Sequence, residues 1–246
     1  MDLRERPENT TRHPWEVSRA RFFRRLIAAH VTQPPSAVLD VGSGDNWFVN
    51  ELLADLPAST GVDCWDAHYT PEDLAGTLDP RLRRMNTPPD LQYPLVLALD
   101  VLEHIEDDTV FLNGSVVPRI QTDGLLVVSV PAYPRLYTSH DVALGHFRRH
   151  TRASLRSLLA PNLTIVQEGS LFGSLVAPRA AQRLVEQLRP PSGTAEINST
   201  WSRGRLLTTA ITGVLDTDAR LGMAAARHGI PFPGLSVWAV CRVTSE

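Results

Sequence analysis

The stretch VLDVGSGDNWF, Val38–Phe48, decides the reading of this chain. An apolar run ends at Val41, and Gly42 and Gly44 then permit a tight turn and close backbone approach to a ligand. A helix opening there aims its free N–H groups at the same point. Within SAVLDVGSGDNWFVNELLADL, Ser36–Leu56, the order is therefore strand, glycine turn, helix. Asp40 is the acid beside the turn. A phosphate-binding loop would need a lysine followed by Ser or Thr, which is absent. A dinucleotide site would want a third glycine where this chain, reading G-S-G-D-N-W, has Trp47.

Outward from the turn, strands and helices alternate. On the N-terminal side, Pro14 to His30 reads as a helix, with Val17, Ala20, Phe23 and Ile27 at helical spacing and Pro34-Pro35 closing the unit. On the other side, STGVDCWD is a short strand ending in acids, and Arg81 to Met85 is a third strand. YPLVLALDVLEHI is a buried strand leaving into a charged loop, Asp107 to Ile120 a helix, and GLLVVSVP another buried strand. Strands apolar on both faces and alternating with helices predict a parallel sheet covered on both sides. The stretch from Pro131 to Thr151 reads as a long polar-aromatic loop. Thr151 caps ASLRSLLA, LTIVQEGSLF is a strand, residues 173–230 are helical with a loop near 189–200, and GLSVWAVCRV is a final strand.

VLDVGSGDNWF resembles the first motif of class I S-adenosylmethionine-dependent methyltransferases, an acid-x-Gly-x-Gly-x-Gly pattern matched by Asp40, Gly42 and Gly44. Asn46 replaces the last glycine, and asparagine tolerates the left-handed backbone region. LALDVLEHIEDD, Leu97–Asp108, resembles the fourth-strand motif of the broad group that includes the ubiquinone and menaquinone C-methylases. The resemblance implies a Rossmann-like doubly wound α/β fold: seven strands, mostly parallel, with an antiparallel last strand. Residues 1–35 form a tail and lid helix, and residues 36–246 the methyltransferase domain, with a helical insertion at about 173–233.

The same resemblance implies S-adenosyl-L-methionine as cofactor and S-adenosyl-L-homocysteine as product. Asp40, Gly42, Ser43, Gly44 and Asn46 form the turn around it. Asp63 accepts the ribose hydroxyls, Cys64 lies beside the adenine, Asn86 reads its amino group, and Asp100 and Val101 flank the sulfonium and the adenosine. Trp15, Glu16 and Arg19 close over the pocket, or simply pack and cap their helix. Tyr133 and Arg149 belong to the substrate side.

The Tyr133–Thr151 segment leaves the carboxyl end of a strand, the edge where ligands bind such sheets. It carries His140, Asp141, His146, Arg148, Arg149 and His150. Histidine titrates near neutrality and suits proton removal from an acceptor. His140 is the first choice of base, oriented by Asp141 or another acid, then His104 and His146; Asp141 can itself serve. His146 and His150, joined by Asp141 or His140, offer a rival metal set, but no specific ligand spacing supports one and no metal is expected.

The expected activity is methyl transfer to an O, N or C nucleophile of a small molecule. The alternative is a non-methylating member that uses the pocket for cyclisation or a related reaction; a regulatory protein and an NAD-linked oxidoreductase are less well matched. A net charge of -3 gives no reason to expect nucleic acid as a partner. No uncharged apolar run reaches the roughly 20 residues a membrane span needs. Cys64 and Cys241 are too few for a disulfide framework, which with the polar, charged start of the sequence points to the cytoplasm; a monomer or homodimer is expected.

Overall fold

A computed structural model describes residues 12–76, 79–189, 201 and 203–243. Its centre is a seven-stranded sheet. The strands are β1 (Ala37–Val41), β2 (Gly61–Trp65), β3 (Leu82–Met85), β4 (Tyr93–Leu99), β5 (Ile120–Pro131), β6 (Leu163–Leu171) and β7 (Ser236–Val243). Their order across the sheet is β3-β2-β1-β4-β5-β7-β6. β7 is antiparallel to both neighbours, and the remaining pairs are parallel. The fold is thus the Rossmann-like doubly wound one that the motifs imply, with the last strand slotted inside the sheet.

The helices are α1 (Pro14–His30), α2 (Trp47–Leu53), α3 (Pro71–Ala75), α4 (Asp108–Phe111), α5 (Ser139–Ala143), α6 (Arg152–Leu159), α7 (Val176–Leu188) and α8 (Arg205–Arg227). Side chains alternate along each strand, so the apolar strands feed two cores. Val38, Leu95, Leu97 and Val127 join Phe22, Phe23, Leu26 and Ile27 of α1. Leu39, Val96, Leu126 and Val128 join Leu155 and Leu159 of α6. Cys64 and Cys241 are free and buried, one in each core. Among the described residues no helix is long and apolar enough to cross a membrane.

Two expected elements differ. The helix expected over Asp107–Ile120 is broken into α4, a π-turn at Leu112–Val116 and a 3-10 turn at Val117–Arg119, with β5 starting already at Ile120. Gly114 weakens the helix and Pro118 cannot donate to it. The segment expected as loop after Pro131 contains a 3-10 turn and α5, which starts where Thr138 and Asp141 cap each other. The unit at 1–11 and most of the expected loop at 189–200 lie outside the described residues.

Chain order reverses between β1 and β4, neighbours in space. Crevices at the carboxyl ends of strands flanking such a reversal bind ligands in open α/β sheets. The glycine turn after β1 and the Asp100–His104 turn after β4 both open there.

Candidate active site

The glycine turn is held from several sides. Gly42 and Gly44 have φ of +65° and +53°. A Cβ on Gly42 would lie 2.6 Å from Val101 Cγ2, so the turn after β4 leaves no room for a side chain. Asn46 has φ +63° and is buried. Its Nδ2 donates to Ser43 Oγ at 2.8 Å and Tyr69 Oη at 2.7 Å, and Tyr69 Oη donates to Gly44 O at 2.8 Å. Asparagine thus adopts the left-handed turn that glycine would, and also braces it. Asp40 lies on β1, and burial pushes its carboxyl up to about 6, against the lowering effect of the Ser43 hydroxyl.

The acid beside this turn is Asp66, not Asp63. Asp63 sits within β2, two residues before its end, where Arg83 donates to it at 2.9 and 2.6 Å and Tyr93 Oη at 2.5 Å. Asp66 is the first residue off the strand. Its Oδ2 accepts Gly44 N–H at 3.0 Å, and its Oδ1 accepts His68 N–H at 2.9 Å. Cys64 does not reach the crevice either. It is a core residue whose thiol burial pushes up to about 12. Asn86 is exposed immediately after β3, beside Asp66, whose N–H donates to Met85 O.

The start of α1 covers the turn. Arg12 pairs with Asp45, and its guanidinium lies 5.0 Å from the Trp47 ring centroid. His13 and Glu16 cap the helix, with His13 N–H donating to Glu16 Oε2 at 3.0 Å. Glu16 is buried, which raises its carboxyl pKa. Trp15 packs on the first core. Arg19 Nη2 lies 2.8 Å from Asp100 Oδ2 and donates to Ser129 Oγ at 3.2 Å. Asp100 has φ +59°, and its Oδ1 accepts from Ser129 Oγ at 2.8 Å. Arg19 is therefore committed to the β4–β5 end. Arg12, Asp45 and Ser129, like Asp66 and Tyr69, carried no sequence signal of this role.

On the acceptor side the Asp100–His104 turn and the 133–151 segment do meet. Phe147 N–H donates to Glu103 O at 2.7 Å, and the His104 and His146 rings stack edge to face with centroids 4.6 Å apart. Asp141 is fully buried and organises the cluster. It accepts from Thr138 N–H at 2.8 Å, Arg149 Nε at 2.8 Å and Arg179 Nη2 of α7 at 2.7 Å, and faces His146 Nδ1 at 3.1 Å. Burial alone would raise its pKa. His146 and Arg149 outweigh that and hold the carboxyl well below its ordinary range. Asp141 therefore favours its carboxylate form within this network.

His140 is not the histidine that Asp141 orients. Among the described residues its ring has no hydrogen bond, and burial lowers its pKa, helped by Arg179. Arg149 also donates to Ala132 O at 3.1 Å and is 8% exposed, so its guanidinium is engaged by Asp141 and the backbone. Tyr133 has φ +61° and stands at the rim, 37% exposed. His146 and His150 do not share a helix face. His150 lies against Asp108, Nε2 to Oδ2 at 3.5 Å. The group that can hold a metal ion is another one. Ligand atoms of Glu103, His104 and His146 all lie within 4.8 Å of one another. Glu103 is fully buried with both carboxyl oxygens unpartnered, and burial, then the charge of Asp100, raises its pKa well above the ordinary value.

The fold is one that solved S-adenosylmethionine-dependent methyltransferases share. No protein-family model matches the chain. A curated relative is the ubiquinone biosynthesis O-methyltransferase of Paramagnetospirillum magneticum, 32% identical over 130 residues covering 47% of this chain. The chain spans about half the length of that relative, 51%. Solved structures agree in fold at low identity. The N-methyltransferase NodS of Bradyrhizobium japonicum WM9, in complex with S-adenosyl-L-homocysteine, is 13% identical over 95% of this chain and 89% of its own, with a TM-score of 0.51. Coclaurine N-methyltransferase, bound to N-methylheliamine and S-adenosylhomocysteine, is 13% identical over 92% and 71%, with a TM-score of 0.55. The [4+2]-cyclase SpnF is 15% identical over 97% and 86%, with a TM-score of 0.55.

Proposed function

We propose that this protein is an S-adenosyl-L-methionine-dependent methyltransferase acting on a small-molecule nucleophile, with a hydroxyl as the acceptor its site serves best. The observation that carries the reading is the meeting of two constellations at one sheet edge. One is the Gly42–Asn46 turn with Asp66 against it. The other is His146 held by Asp141 beside His104 and Glu103. The residues fit the cofactor. The turn has no room for a side chain at Gly42, and a carboxylate stands at the end of β2, suited to a ribose diol. Gly42, Ser43, Gly44 and Asp66 would hold it, with Asp100, Val101 and Asn86 alongside. Bound there, it supplies a methyl group already activated on a sulfonium.

The protein's own part is alignment and proton removal. Alignment of donor and acceptor alone supplies several kcal/mol. His146 takes the acceptor's proton at Nε2, and Asp141 stabilises the imidazolium that forms. The curated relative, an O-methyltransferase, supports a hydroxyl acceptor. The cyclase that shares the fold fits no better, since a likeness at 15% identity carries fold alone.

The juxtaposition of Glu103, His104 and His146 favours one variant of the reading, in which they hold a divalent cation against the acceptor hydroxyl. Turnover unchanged after chelation rules that variant out.

The test is a screen of phenolic and other small acceptors for products heavier by one methylene, with binding of S-adenosylhomocysteine measured by calorimetry. His146→Ala should lower turnover about a hundredfold with cofactor affinity unchanged, whereas His140→Ala should change it less than about threefold. Absence of S-adenosylhomocysteine binding to the parent protein overturns the reading. A larger loss in the His140 variant moves the base.

A further inference from the structure

We infer that the outward face of α7 and α8 docks on an anionic phospholipid surface. α7 is amphipathic in the inverted sense. Its charged positions turn inward, Arg179 onto Asp141 and Glu186 onto Ser139. Its apolar positions turn outward, with Leu184, Val185 and Leu188 at 55, 59 and 75% exposure. Ala177 and Ala181 extend this stripe at helical spacing, and both are exposed. α8 also presents apolar positions outward, in addition to an apolar face turned to the core. Leu215, Ala219 and Met223 are buried, while Leu206, Val214 and Leu221 are 90, 59 and 56% exposed on another face. That face lines an open groove of about 620 Å³ beside Phe232.

The charges on these helices decide the occupant. Each acid is occupied on the protein side: Glu186 by Ser139, Asp216 by Arg21, and Asp218 by Gly173 and Ser174. Arg189, Arg203, Arg205 and Arg220 are exposed, and among the described residues none has an acid within ion-pair distance. The outward face therefore offers apolar side chains and positive charge, although the whole chain carries -3. A second copy docked through this face would bring like charges together. An amphipathic helix with leucines below and arginines around it lies in the interfacial plane of an anionic bilayer. No described helix is long and apolar enough to cross a membrane, and the proposed attachment is to one leaflet. The helix lying on lipid also grips Asp141, which puts the acceptor side of the site next to that leaflet.

Flotation of the full chain with phosphatidylcholine vesicles, with and without about one third phosphatidylglycerol, tests this. Binding should require the anionic lipid and weaken as salt rises. Leu184→Gln/Leu188→Gln and Leu206→Gln/Val214→Gln should each lower partitioning about tenfold, and Arg203→Gln/Arg205→Gln about as much, with melting temperatures unchanged. Failure to float with anionic vesicles overturns the proposal, as does unchanged binding by the glutamine variants. A dimer in sedimentation equilibrium that those variants split, with no vesicle binding, assigns the face to a second copy instead.

Discussion

At the scale of single residues the site turns on where a strand stops. Asp63 and Asp66 stand three positions apart in GVDCWD, and composition does not distinguish them. β2 ends at Trp65, so Asp66 alone leaves the sheet at the edge where the glycine turn lies. Asp66→Ala should therefore weaken S-adenosylhomocysteine binding at least about tenfold, or ~1.4 kcal/mol, as for a lost hydrogen bond to a charged group. Asp63→Ala should leave affinity unchanged and cost about 1–3 kcal/mol of stability, mostly because the buried Tyr93 loses the acceptor of its hydroxyl; the pair with the exposed Arg83 adds little. Calorimetry on both variants separates the two; the reverse result would return the ribose to Asp63. The histidines differ in the same way. His140 adjoins Asp141 in sequence, but α5 turns the Asp141 carboxylate toward His146.

Elements were legible where their signals are local. α1 runs from Pro14 to His30, as its apolar spacing and proline start predict, and Thr151 accepts from Ser154 N–H to cap α6. The expected helix after β4 failed because periodicity over Asp107–Ile120 is interrupted by Gly114 and Pro118. The placement of α7 and α8 depends on a contact no local pattern reveals. Asp218, midway along α8 and 8% exposed, accepts Gly173 N–H at 3.2 Å and Ser174 N–H at 2.7 Å ahead of α7. Gly222 brings the helix against Ser170 O of β6, 2.8 Å from where a Cβ would stand. Asp218→Ala leaves two N–H groups without this acceptor and should cost about 2–3 kcal/mol. A lower urea midpoint at unchanged slope is the expected outcome, and an unaltered midpoint would show that water replaces the carboxylate.

The whole molecule sets the ionisation of Asp40, because only the complete sheet buries it, between Cys64 on β2 and Leu97 on β4. Its folded pKa of about 6 lies above the ordinary 3.8. Folding is therefore favoured by the proton. That contribution is fully present below about pH 4 and is lost as pH rises through 6. Asp40→Asn removes the titration. Relative to the parent, its unfolding free energy should rise between pH 4 and pH 7.5, by roughly 3 kcal/mol at most. Denaturation curves at the two pH values check this, and a parallel pH dependence in both proteins would show that Asp40 titrates normally.

The sequence by itself determined the alternation of strands and helices, the glycine turn and its place after the first strand. Apolar period, proline and glycine act through neighbouring residues, so they can be read along the chain. The tertiary structure decided which acid faces the turn and which histidine is oriented. It also made Arg19 and Arg149 structural partners of Asp100 and Asp141, and left the apolar stripes of α7 and α8 facing outward. Those outcomes depend on strand ends and on pairings such as Arg179 with Asp141, which are remote in sequence. They depend also on burial, which shifts the charge of a carboxyl only once the surrounding chain has closed over it.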